Sequence, residues 1–205
     1  MSAAAHFPRS RQRGFTLIEV MIAVFVLSIG LLGVAALQLT AKKSSHQAWQ
    51  RAQAVLLADS ILERLRMNPS AAASYHTGIG SSALGAGTRT TPGQDCSTQS
   101  CTAAQMAAWD LWNWERRMDG KAIVDSANRN VSGLVDPHAC IVFTAVSSSF
   151  PNTGQLRVIV SWRGTTDISD AVTSGTACGS GSAGSVDSRH QVIVNTYVVD
   201  ERGLG

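Results

Sequence analysis

Between Phe15 and Leu39 the chain reads FTLIEVMIAVFVLSIGLLGVAALQL, an apolar run long enough to cross a bilayer as a helix. One charge, Glu19, and one strongly polar side chain, Gln38, interrupt it. By hydropathy alone the run fits a plain membrane anchor or a secretory signal, with Val34-Ala35-Ala36 passing as a small-residue cleavage site. Glu19 argues against both, because a carboxylate four residues into such a run costs several kcal/mol in hydrocarbon unless it meets a partner. Thr16-Leu17-Ile18-Glu19 also fits a capping box, and an acid in the first turn suits the helix dipole, so capping explains part of the pattern. Directly before the run, a short basic leader with Arg9, Arg11 and Arg13 ends in Gly14.

At this boundary Arg13-Gly14-Phe15-Thr16-Leu17-Ile18-Glu19-Val20 resembles the class III signal of type IV prepilins and type II secretion pseudopilins. The resemblance implies cleavage after Gly14 by a prepilin peptidase on the cytoplasmic side and N-methylation of the new terminus at Phe15. It also implies a role for Glu19, pairing with the terminal amine of a neighbouring subunit inside a filament. A carboxylate in a water-poor filament core is tolerated when a cation matches it and costly when the partner is removed.

Helical periodicity continues past the apolar run. Ala54, Ala58, Ile61, Leu62 and Leu65 recur on one face, with Gln53, Ser60 and Arg64 on another. No proline occurs between Phe15 and Asn68, and Pro69 supplies a stop. These patterns predict one helix of about 75 Å, an anchor over 15–39 and an amphipathic spine over 40–69. Gly30 and Gly33 mark places where it bends or melts on assembly, or where another membrane helix packs closely.

Ala58-Asp59-Ser60-Ile61-Leu62-Glu63-Arg64-Leu65-Arg66-Met67-Asn68-Pro69 is similar to the stretch that closes this helix in the PilV group of type IV pilus minor pilins, the pilus modification proteins. Leu31-Leu32-Gly33 and Ala36-Leu37-Gln38 support the same group. Arg64 and Arg66 otherwise read as cations complementing a helix C-terminus.

The formal charge of +3 comes from the leader: without its three arginines the chain carries 14 basic and 14 acidic side chains. A neutral mature protein has no general electrostatic pull on nucleic acid, so none is expected as a partner. Cys96, Cys101, Cys140 and Cys178 fall among Gly-, Ser- and Thr-rich segments that supply little apolar surface. Export favours disulfides, and the expected pairs are Cys96–Cys101 and Cys140–Cys178, although spacing does not choose among three pairings. A zinc site is the rival, but no Cys-x-x-Cys pair or His pair at ligand spacing supports it.

From Ser70 to Thr102 the chain reads as an exposed loop. Thr102-Ala-Ala-Gln105 then caps a short helix whose apolar side is Ala107, Leu111, Trp114 and Met118. Trp109, Trp112 and Trp114 form either a ligand-stacking cluster or aromatic cover for a small core. Strands are predicted at Ala139–Val146, Gln155–Trp162 and Gln191–Val199, with Phe150–Gly154 turning the first hairpin. Lys121–Asp125 is a possible fourth. The fold class is α+β, a type IV pilin fold with a long N-terminal helix packed on a small antiparallel sheet: leader 1–14, helix 15–69, head 70–205.

No catalytic set, cofactor motif or metal site emerges. Asp187, Ser188 and His190 are neighbours in sequence without implying triad geometry. Asp167, Asp170 and Asp187 lack the spacing of a calcium loop. Asn130-Val131-Ser132 is a glycosylation sequon that arises often by chance. The resemblance implies a minor pilin of a tip or priming complex that supports adhesion or twitching motility. Its partners would be other minor pilins, the major pilin, the prepilin peptidase and inner-membrane assembly machinery. It would sit in the inner membrane with its head in the periplasm, then in an extracellular pilus. The alternatives are a minor pseudopilin of type II secretion and a membrane-tethered ligand-binding protein.

Overall fold

The computed structural model describes residues 14–79, 83–130, 133–165, 177–179 and 188–203. It divides into two compact units, residues 1–45 and 46–205. Helix α1, Leu17–Met67, is the 51-residue element expected from the pattern. In the first unit its side chains are exposed throughout, and none of the described residues covers the apolar run.

In the second unit α1 buries Gln50, Ala54, Ala58, Ile61, Leu62 and Leu65, a single stripe at helical spacing. Asn68 and Pro69 end the helix, and a 3-10 turn, Pro69–Tyr75, follows. Helix α2, Ala103–Met118, begins at a complete capping box in which Thr102 and Gln105 exchange hydrogen bonds. Ala107, Leu111, Trp114 and Met118 are all buried, as the apolar pattern requires.

Three antiparallel strands complete the unit in the order β1-β2-β3: β1 His138–Ser147, β2 Phe150–Arg163 and β3 Arg189–Val198. Ala139, Ile141 and Phe143 of β1 and Leu156, Val158, Val160 and Trp162 of β2 share one core with the α1 stripe, α2 and Tyr75. The architecture is α+β, with the second half of α1 packed on a small antiparallel sheet.

Two expectations are corrected. The segment 150–154 is not the hairpin turn: Ser147 pairs with Phe150, so Ser148 and Ser149 make the turn and β2 starts earlier. Gly154 lies inside β2 opposite Ala145, where an added Cβ would sit 2.0 Å from the Thr144 carbonyl, so its role is close strand approach. Asn152 is a clasp, donating to the Ser70 carbonyl at 2.7 Å and accepting from the Ala73 N–H at 3.3 Å.

Nor is the whole connection from Ser70 to Thr102 an exposed loop. Ala71, Ala72, Tyr75, Thr77 and Leu84 are buried, and the segment lines the free edge of β1. Leu84 and Ala139 exchange backbone bonds, Thr77 N–H donates to the Ile141 carbonyl, and Phe143 N–H donates to His76 Nδ1. Blocking an edge in this way removes a template for stray pairing. Residues 121–125 form no strand; Val124 makes one isolated bridge to Asn130.

Disulfides join Cys96 to Cys101 and Cys140 to Cys178, so none of the four is available to zinc. The bridges close loops of very different size, with sequence separations of 5 and 38. On chain-entropy grounds, losing Cys140–Cys178 costs about 4 kcal/mol and losing Cys96–Cys101 about 2 kcal/mol. Denaturant titration of C140S/C178S and C96S/C101S double variants of the full chain in detergent should give that order. Equal losses would show that loop size does not govern the effect.

Candidate functional site

At the N-terminal boundary Gly14, Phe15 and Thr16 precede α1. The Thr16 hydroxyl and carbonyl accept from the Glu19 N–H at 3.4 and 3.1 Å, which is one half of the capping box. The reciprocal half is absent: the Glu19 carboxylate has no hydrogen bond or ion pair among the described residues. Phe15 is 83% exposed. A Cβ added at Gly14 would meet nothing within 4 Å, and the same holds at Gly30 and Gly33. Space within the chain therefore does not demand glycine at any of the three.

Two carboxylates on α2 solve the burial problem internally. Asp110 pairs with Arg64 of α1 and accepts the Tyr75 hydroxyl at 2.7 Å, while Asn68 donates to the Ala103 carbonyl at 2.8 Å and closes the ring of contacts. Burial, with the neighbouring Asp110 carboxylate, pushes the Tyr75 phenol above its ordinary range and keeps it a donor. Arg64 stands in the last turn of α1, as the sequence suggested, and also pairs across the helix interface. Arg66 pairs with Glu63 and reaches Thr196.

Glu115, 1% exposed, holds the connection beside α2. Its carboxylate accepts from the Gly85 N–H at 2.8 Å, the Thr88 N–H at 2.9 Å, the Thr88 hydroxyl at 2.6 Å and the Arg89 N–H at 2.9 Å. Burial pushes its pKa up, but these bonds to the ionised form outweigh burial and hold it below its ordinary value. Sequence reading passed over both acids, although they stand beside Ala107, Leu111 and Trp114 on the apolar side of α2, where a charge needs a partner.

The three tryptophans do not form one cluster. Trp114 is buried and donates to the Leu57 carbonyl at 2.8 Å, joining α2 to α1. Trp109 and Trp112 are half-buried on another side, ring centroids 5.0 Å apart, with the Arg116 guanidinium 4.9 Å from the Trp112 ring centre. His190 stacks on Trp162 at 5.6 Å, a packing role. Asp167, Asp170 and Asp187, and Val131 and Ser132 of the sequon, lie outside the described residues. Among the described residues no His, Cys, Asp or Glu cluster could hold a metal ion.

A depressed folded-state pKa stabilises the fold above the ordinary value and ceases to do so as pH falls through the folded value. Glu115→Gln, which places an amide among donors, should cost about 1–3 kcal/mol at neutral pH. The gap between wild type and variant should narrow as pH falls below the ordinary Glu value of 4.5. Denaturant titrations of both proteins from pH 7 to pH 3 check this.

Two family matches adjoin along the chain. Residues 9–35 match the prokaryotic N-terminal methylation motif, and residues 36–112 match type IV pilin Tt1218. No curated protein and no solved structure matches it. The first match covers the Gly14–Glu19 boundary and much of the bare apolar helix; the second covers the amphipathic half of α1, the connection and most of α2. With a long apolar helix continuing into a spine on a small antiparallel sheet, this chain is a type IV pilin-like protein, anchored in the inner membrane by its N-terminal helix and later assembled into a pilus.

Proposed function

We propose that the protein is a minor pilin of a type IV pilus, acting by assembly and not by catalysis. It joins other minor pilins in a tip or priming complex for pilus assembly and supports adhesion or twitching motility. The similarity of Ala58–Pro69 to the PilV group supports the minor-pilin reading over a bulk subunit. Prepilin peptidase cuts after Gly14, and Phe15 becomes the methylated terminus. The open space around Gly14 supports this, because a glycine that packing does not require fits one required by a processing enzyme.

The observation that carries the reading is Glu19. It is a carboxylate with no partner among the described residues, set at the start of an apolar run that no described residue covers. Both deficits are relieved when helices of several subunits pack together and the freed amine of one meets the carboxylate of another. The role belongs to the chain's own residues: Phe15 supplies the cation, Glu19 the anion, and the apolar run the water-poor surroundings that strengthen their attraction.

Mass spectrometry of protein recovered from surface filaments should find a methylated terminus at Phe15. Glu19→Ala should leave cleavage intact and lower incorporation into filaments at least about tenfold, the scale of one lost charge pair in a dry site. A purified protein that still begins at Met1, or full incorporation of the Glu19→Ala variant, would overturn the proposal.

A further inference from the structure

Antiparallel register sorts the outward side chains of the sheet into rows. Cys140, Ile159 and Ile193 form one row; Val142, Arg157 and Asn195 the next; Thr144, Gln155 and Tyr197 the last. The first row is covered where Ala83 and Cys178 pack on Cys140 and Ile159. The other two rows are open. Val142 is half-buried, while Thr144, Gln155, Arg157, Asn195 and Tyr197 are exposed, and together they line a concavity of about 480 Å³.

The chemistry of this concavity is one-sided. Arg157 Nε donates to Asn195 Oδ1 at 3.0 Å, which fixes the plane of the guanidinium and leaves its terminal nitrogens without a partner among the described residues. Among the described residues no acid lines the concavity and Arg157 has no ion pair, whereas Arg64, Arg129 and Arg189 each have one. A fixed, uncompensated guanidinium edge suits the two oxygens of a carboxylate.

Around it stand groups of a different kind. Tyr197, one row along and 50% exposed, offers an aromatic face and a hydroxyl. Gln155, Asn195 and Thr144 each carry donor and acceptor atoms. A flat ring face bordered by dual-function polar groups matches a pyranose ring, with C–H bonds on one side and hydroxyls at its rim. The volume falls in the range of a small-molecule site, and most of the side chains that line it are polar.

We propose that this open half of the sheet binds a carboxylate-bearing sugar, a uronic- or sialic-acid-type residue of a surface polysaccharide. Arg157 pairs with the carboxylate, Tyr197 packs against the ring, and Gln155, Asn195 and Thr144 take the hydroxyls. The site requires only that the head be displayed, so it stands apart from the filament reading and neither result decides the other.

The test is calorimetric titration of the full-length protein in detergent micelles with trigalacturonate and with sialyllactose, against lactose, inorganic phosphate and polyglutamate. At least one acidic sugar should bind saturably, with a dissociation constant at or below about 1 mM. Arg157→Gln and Tyr197→Ala, at unchanged melting temperature, should each weaken that binding about tenfold or more, and Tyr197→Phe should retain most of it. The proposal is overturned by no binding of either acidic sugar up to about 10 mM. Equal binding of lactose, phosphate or polyglutamate, or acidic-sugar affinity unchanged in either disabling variant, would overturn it as well.

Discussion

Desolvation of carboxylates organises the head of this protein. Asp110 and Glu115 project from the apolar side of α2 into a core of Leu, Trp and Met, where an unpaired charge costs more than most packing contacts return. Each draws a different segment of chain to itself. Asp110 holds the end of α1 through Arg64 and the 3-10 turn through Tyr75, while Glu115 gathers the backbone from Gly85 to Arg89. Apolar burial alone would let α2 slide or rotate against the α1 stripe, because Ala54, Ala58 and Ile61 offer similar contacts at neighbouring positions. The charge-assisted bonds are directional and distinguish among those positions.

Glu19 faces the same physics in the other unit without such partners. Arg64, Tyr75 and the 85–89 backbone answer the two acids of the head, but around Glu19 the helix offers only apolar side chains and its own capped backbone. The carboxylate and the apolar surface beside it therefore pose one problem, which the described residues do not answer. In the proposed filament, a packed assembly would supply a cation where an isolated subunit relies on water at the membrane surface. Asp110 and Glu115 are thus satisfied within the head, while Glu19 has no such partner among the described residues.

Legibility in the sequence followed the range of the interaction. The α1 stripe, its stop at Pro69, the capping box at Thr102–Gln105 and the three β-branched strands rest on residues within a few positions of one another, and each appears where local pattern placed it except for the early start of β2. The hairpin turn was misplaced because Phe150-Pro151-Asn152-Thr153-Gly154 has turn-like chemistry, whereas the clasp of Asn152 on Ser70 and the close approach of Thr144 to Gly154 come from distant chain. The connection after Ser70 read as exposed because its composition is small and polar. Its burial comes from the edge of β1 and from Glu115, which no window of sequence contains. Gly14 and Glu19 are conspicuous for the opposite reason: they contradict their local surroundings, and nothing among the described residues resolves the contradiction.

Coverage of the sheet follows from the same scarcity of apolar residues. One face is filled by α1 and α2, which use up most of the large side chains. The other receives the small residues Ala83 and Cys178, and the bond from Cys178 to Cys140 holds that cover in place where apolar area would be insufficient. Beyond the reach of the tether the remaining rows must meet water, and polar side chains on β1, β2 and β3 there add little to the core. A surface released from packing duty in this way is free to vary in chemistry without disturbing the fold. The Arg157–Tyr197 concavity occupies that freed half, on paired strands whose register positions its side chains more firmly than a loop would.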